Sequence, residues 1–331
     1  MKNVLRLVLC SALALSVNSY AAEPAQCRLV RLSDPGWTDI QTTTAIATTL
    51  MKSLGYQTKS TLVGVPLTFK ALSEGKSMDV FLGTWLPTME PDLKPYRDTS
   101  KIDIVRINLK HAKYTLAVPQ TLWDQGLKDF ADIARFKEAL NGKIYGLEPG
   151  DGGNNAVLKA ISENAFGLKD AGFSVVASSE SGMLAQVERA QRRNEAIVFL
   201  GWEPHPMNTR FKMKFLTGGD AYFGPDFGDA TVYTSTRKGY VDECPNVGQL
   251  LKNLSFTLDM ENHIMGNILD DKMDPEFAAR AWIKAHPEVL DGWLEGVTTW
   301  DGQPGLAQVK AEVSTWDGQA GLAQVKSEAT Q

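Results

Sequence analysis

Beyond residue 28 the chain alternates between two periodicities. Residues 28–33 (RLVRLS) and 56–63 (YQTKSTLV) read as strands, while residues 39–54 place Ile40, Thr43, Ala47, Leu50, Met51 and Leu54 at the spacing of one helical face. Residues 65–76 predict a second helix, 78–82 a buried strand, and 102–108 and 114–118 two further strands. A second series follows: helix 130–140, an Asn141-Gly142 turn, strand 143–147, a glycine-rich loop, helix 155–165, strand 173–177, helix 181–193 and strand 196–200. Residues 214–216 and 230–236 return to strand character, and 246–293 is helical. This alternation predicts an α/β fold, two mostly parallel sheets with helices on both faces.

At the N-terminus, Lys2 and Arg6 precede an apolar run over 7–17, and Ser19 and Ala21 occupy the small-residue positions of a cleavage site. Residues 1–21 therefore predict a signal peptide, the run being too short to span a bilayer. Leu9 precedes Cys10 where lipid attachment needs a small residue, which disfavours a lipoprotein. Removal of the leader leaves the chain two charges more acidic than the net −5 of the whole sequence. It also leaves Cys27 and Cys244 as the remaining thiols in an oxidising compartment, where they are expected to pair. Such a bridge puts the start of the mature chain and a distant segment in one domain. The predicted organisation is one lobe of residues 22–114 and 216–331 with a second lobe, 115–215, inserted into it. A cleft and a hinge between lobes follow from that topology.

Four aromatic residues stand out by placement. Trp37 (LSDPGWTDI) and Trp85 (DVFLGTWLP) lie just past apolar runs, Tyr114 (KHAKYTLAVP) begins one, and Trp202 (IVFLGWEPHPMN) is expected on a loop stiffened by Pro204 and Pro206. Ligands of open α/β sheets bind at the carboxyl ends of strands. Converging there, four ring faces form an electron-rich cage whose natural guest is a weakly hydrated cation such as a quaternary ammonium. Asp39 is expected both to cap the helix over 39–54 and to face the same cleft. Its carboxylate counters a cation and repels a ligand carboxylate, which favours choline over glycine betaine. A betaine or carnitine carboxylate would need backbone N–H or basic partners, Lys113 and Arg210 being the nearest basic candidates.

Other chemistries leave weaker marks. The four histidines are scattered without a zinc spacing, and neither a GxSxG elbow nor a GxxxxGK[ST] loop occurs, which lowers the expectation of an enzyme. A choline-ester hydrolase remains as an alternative of another class. The loop EPGDGGNN has the glycines of a phosphate cradle but no nearby base, and Asp151 opposes an anion, so a cap and close-approach role is preferred. There Asn154 is expected to cap the following helix while lining the cleft, with Asn155 a further candidate beside it. No metal, cofactor or nucleic acid is expected. Residues 299–314 and 315–330 form a tandem repeat identical at 12 of 16 positions, whose second copy reads as a dispensable tail.

The segments LSDPGWTDI, DVFLGTWLP, KYTLAVP, GKIYGLEPG, ESGMLAQVERA, IVFLGWEPHPMN and ATVYTSTRKGY resemble the substrate-binding proteins of ABC transporters for glycine betaine and choline. The likeness is closest to the choline-binding members, and it runs from Cys27 to about Trp300. It implies a two-lobed venus-flytrap fold of type II-like topology, periplasmic and monomeric, that hands its ligand to a membrane permease. It further implies that Trp37, Trp85 and Tyr114 from one lobe and Trp202 from the other enclose a trimethylammonium group, with Asp39 and Asn154 at the ligand's alcohol end. The doubled C-terminal segment departs from the family pattern.

Overall fold

The computed structural model describes residues 23–316. The expected signal peptide and all but the first two residues of the second repeat copy lie outside the described residues. The strands are β1 (Leu29–Asp34), β2 (Gln57–Leu62), β3 (Val80–Leu86), β4 (Ile102–Pro119), β5 (Lys143–Tyr145), β6 (Ser174–Val176), β7 (Phe199–Glu203), β8 (Met213–Phe215) and β9 (Asp229–Arg237). The helices that matter below are α1 (Thr38–Ser53), α2 (Val65–Glu74), α3 (Glu90–Arg97), α4 (Gly152–Ser162), α5 (Glu180–Arg193), α6 (Leu258–Leu269), α7 (Pro275–Ala285) and α8 (Gly305–Val313).

Two separate, mostly parallel sheets were expected; the structure has one mixed sheet, ordered β2-β1-β3-β9-β4-β7-β5-β6, with β8 also on β4. Pairing is parallel toward the two ends, β2-β1-β3 and β7-β5-β6, and antiparallel through the middle. The join is β4. Residues 102–108 and 114–118, expected as two strands, are one strand of 18 residues. Its first part pairs with β9 and its last part with β7 and β8. The polar stretch Asn108–His111 hid this continuity: the ladder slips register there, and His111 takes φ 60°, a local kink that breaks the apolar alternation without ending the strand.

α1 is almost wholly buried, with Ile40, Ile46, Ala47, Leu50 and Met51 all at 1% exposure or less. It lies between the β1-β3 region of the sheet and helices α6, α7 and α8. That position is why its polar residues are mostly threonines, compact enough to pack on every side. Cys27 and Cys244 form the expected disulfide and are fully buried.

The first repeat copy packs here too: the Trp300 N–H donates to the Leu54 carbonyl at 2.7 Å, and its ring meets Tyr56 edge-on at 5.5 Å. Trp316, the second residue of the second copy, is 8% exposed; its carbonyl accepts a bond from Lys284 Nζ at 2.7 Å and its ring lies under the Arg280 guanidinium. The second copy therefore begins as packed structure. Among the described residues no helix is long and apolar enough to cross a membrane.

Candidate functional site

Tyr114 on β4 and Trp202 on β7 are direct partners across an antiparallel pair, so the pleat puts both rings on one side of the sheet. Their centroids are 6.2 Å apart and nearly perpendicular. Trp85 on β3 meets Tyr114 from the other side, also at 6.2 Å. Trp85 and Trp202 thus lie within strands, where residues beyond strand ends were expected. Trp37 does stand past its strand: it is the N-cap residue of α1, reached through Gly36, whose φ of 94° a side chain would strain.

The four rings line one cavity with Asp39, Met89, Leu147 and Asp151. The walls stand close together: the free space between them is about 20 Å³, against roughly 10–15 Å³ needed to hold one water on the same measure. The walls are closed around it: Trp37, Trp85, Tyr114 and Trp202 are 3–6% exposed.

Three of the four rings are held at their polar edge by a carboxylate. Trp85 Nε1 donates to Asp39 Oδ2 at 3.1 Å, Trp37 Nε1 to Glu148 Oε2 at 3.0 Å, and the Tyr114 hydroxyl to Asp151 Oδ1 at 2.7 Å. Each bond fixes the ring's rotation and draws negative charge onto its face, which strengthens attraction for a cation. Trp202 is held differently. The His205 ring backs it at 4.6 Å, and Asn208 Nδ2 donates to its carbonyl at 2.8 Å.

Asp39 is the second residue of α1 rather than its cap. The loop before α4 departs from expectation in the same way: the cap is Asp151, which accepts the Asn154 N–H at 2.8 Å, and the helix starts three residues earlier than its apolar spacing predicts. Asn154 does not line the cavity. Its Oδ1 accepts from Leu147 N at 3.0 Å, and its Nδ2 donates to the carbonyls of Leu147 at 2.7 Å and Glu148 at 3.0 Å. The side chain acts as a clip that presents Leu147, Glu148 and Asp151 to the rings. Asn155 is exposed, with only a long bond to Gly150 O. The glycines serve close approach: a Cβ on Gly153 would lie 2.5 Å from the Tyr114 hydroxyl, and one on Gly152 2.9 Å from Thr88 O.

The electrostatics are one-sided. Burial, reinforced by the Glu180 charge, pushes the Asp39 carboxyl up to about 8. Burial pushes Asp151 up to about 7 against the opposing bonds from Asn154 N and Tyr114. Glu148 is raised for the same reason. Among the described residues, no lysine, arginine or histidine lines the cavity. Lys113 is paired with Glu203 at 3.0 Å and Arg210 with Glu188 at 3.3 Å, both outside it. Buried carboxylates without a cation are costly, and a positive charge placed in the cavity would offset that cost.

Comparison with known proteins points the same way. The OpuAC family, described as the substrate binding domain of ABC-type glycine betaine transport system, matches residues 28–285. A solved ABC-transporter choline binding protein in complex with choline is 55% identical, with a TM-score of 0.86 over 88% of this chain and 100% of that one. Its unliganded semi-closed form superposes at 0.80. The glycine betaine/carnitine transport binding protein GbuC of Listeria monocytogenes is 32% identical over 165 residues, 50% of this chain and 53% of GbuC.

Proposed function

The chain belongs to the OpuAC family of substrate-binding domains of ABC-type glycine betaine transport systems, and from that footing we propose that it binds choline and delivers it to a membrane permease. The observation that carries the choice of ligand is the cavity itself: four aromatic walls, two carboxylates and no base. The trimethylammonium group takes the ring faces, each contributing on the order of 0.5–2 kcal/mol when desolvated. Four such faces suffice for micromolar binding after association costs. Asp39 and Asp151 then neutralise the charge and leave an acceptor for the hydroxyl. A betaine carboxylate in the same place would meet two like charges.

The lobes are residues 22–114 with 216–331, and 115–215. In this reading β4 and the β8-to-β9 return are the two crossings, and hinge motion about them opens the cavity. Trp202, with Glu148 and Asp151, moves as one wall against Trp37, Asp39 and Trp85, so that binding and closure are one event. The ligand-binding set is Trp37, Asp39, Trp85, Tyr114 and Trp202, with Asn154 shaping the loop. Export of the mature protein to the periplasm, as a monomer, fits delivery to a permease.

Trp202→Ala removes the wall opposite Tyr114. Calorimetric titration should show choline affinity lowered by roughly tenfold or more, with the melting temperature of the free protein little changed. Unaltered affinity in the folded variant would remove Trp202 from the cage. Asp39→Asn should cost choline more than glycine betaine, and equal losses would take Asp39 out of the specificity argument.

A further inference from the structure

α1 has no capping side chain of its own, because its N-cap position is an indole, Trp37. Yet its first-turn N–H groups are buried and need acceptors. The N–H of Thr38 is taken by Glu180 Oε2 at 2.8 Å, from 142 residues away, and the Thr38 hydroxyl donates to Glu180 Oε1 at 2.6 Å. Glu180 is thus the missing cap of α1, supplied from the first turn of α5.

The same carboxylate also reaches the other side of the cage. His205 Nδ1 accepts the Met207 N–H at 2.8 Å, so its ring proton is on Nε2, and Nε2 lies 3.2 Å from Glu180 Oε1. His205 is the ring that backs Trp202. Glu180 is 4% exposed yet is not among the residues that line the cavity. One buried carboxylate therefore ties the turn bearing Trp37 and Asp39 to the support of Trp202, without facing the space a ligand would occupy.

We propose that Glu180 is the latch of the closed cage, a positioning residue that holds the walls together around the bound cation and touches no ligand atom. This rests on the choline-binding reading above. Opening the cleft exposes Glu180 and the Thr38 N–H to water, which replaces their bond, so the latch favours the closed form without being needed by either part of the fold. A latch acts after encounter. Its loss speeds ligand escape and leaves capture nearly unchanged. Because it does not contact the ligand, its loss also costs every ligand with the same head group the same factor.

The test is stopped-flow and equilibrium binding of choline and of tetramethylammonium, which shares only the head group, to the mature protein and to Glu180→Gln, Glu180→Ala and Thr38→Val. For Glu180→Ala the expected result is a loss of roughly tenfold or more, equal for the two ligands and carried by the dissociation rate, with free-protein melting unchanged. Thr38→Val keeps the N–H bond and should lose less, in the same pattern. Unequal factors, a loss carried by association, undiminished affinity, or a fall in free-protein melting in both Glu180→Gln and Thr38→Val would each overturn the latch. Failure of the unaltered protein to bind choline would overturn instead the reading on which the latch depends, and the latch with it.

Discussion

Asp39 and Asp151 carry a pH signature that follows from their burial. Their folded-state values, about 8 and about 7, stand above the ordinary 3.8, so the empty folded protein holds protons that the unfolded chain has released. Stability from these groups is therefore greatest below the ordinary value and is lost as pH rises toward the folded values. A bound cation favours the ionised carboxylates and reverses the trend. The rise in melting temperature produced by saturating choline should be larger near pH 8 than near pH 5, and calorimetry near pH 7 should detect proton release on binding. A choline shift independent of pH, with no proton release, would show that the two carboxylates do not feel the ligand.

At this scale the four aromatics and Asp39 were legible in the sequence, because each stands beside a recognisable strand or helix start. The carboxylates that orient the other rings were not. Glu148 meets Trp37 across 111 residues, Asp151 meets Tyr114 across 37, and Glu180 meets Thr38 across 142, and no local pattern announces such pairs. Asn154 was misplaced for a related reason: its environment resembles a helix cap, whereas Asp151, three residues earlier, takes the orphan N–H.

Among the elements, the N-terminus of α4 is the one whose close fit is most exposed to test. Gly153 lets the helix approach the Tyr114 hydroxyl, and an alanine there would need 2.5 Å to be tolerated. Gly153→Ala, which adds only a methyl, should weaken choline binding by roughly tenfold, as overpacking forces Tyr114 off Asp151. Circular dichroism of the ligand-free variant should stay native. Normal affinity would mean that the approach is looser than the structure has it. Most elements were legible from periodicity. β4 was not read as one strand, because its register shifts place polar residues where alternation would demand apolar ones. β3 and β7 ran further than their apolar cores, so Trp85 was expected just past its strand and Trp202 on a loop. Neighbouring strands lengthened all three, and a neighbour's pull is invisible in the segment itself.

For the whole molecule, the disulfide joins positions 217 residues apart, and the chain-entropy model gives such a loop roughly 5 kcal/mol as an upper figure. Cys27→Ser with Cys244→Ser should lower the melting temperature while leaving choline affinity close to normal, since neither cysteine lines the cavity. A matching loss of affinity would tie it to the site.

The central claim is that this member of a glycine betaine family takes choline because its cavity is acidic and lacks a base. Calorimetric titration of the mature protein with choline and glycine betaine, side by side in one buffer, tests it most directly. Choline should bind at micromolar affinity or better, with glycine betaine weaker by roughly tenfold or more. Betaine binding as tight as choline, or tighter, would contradict the account.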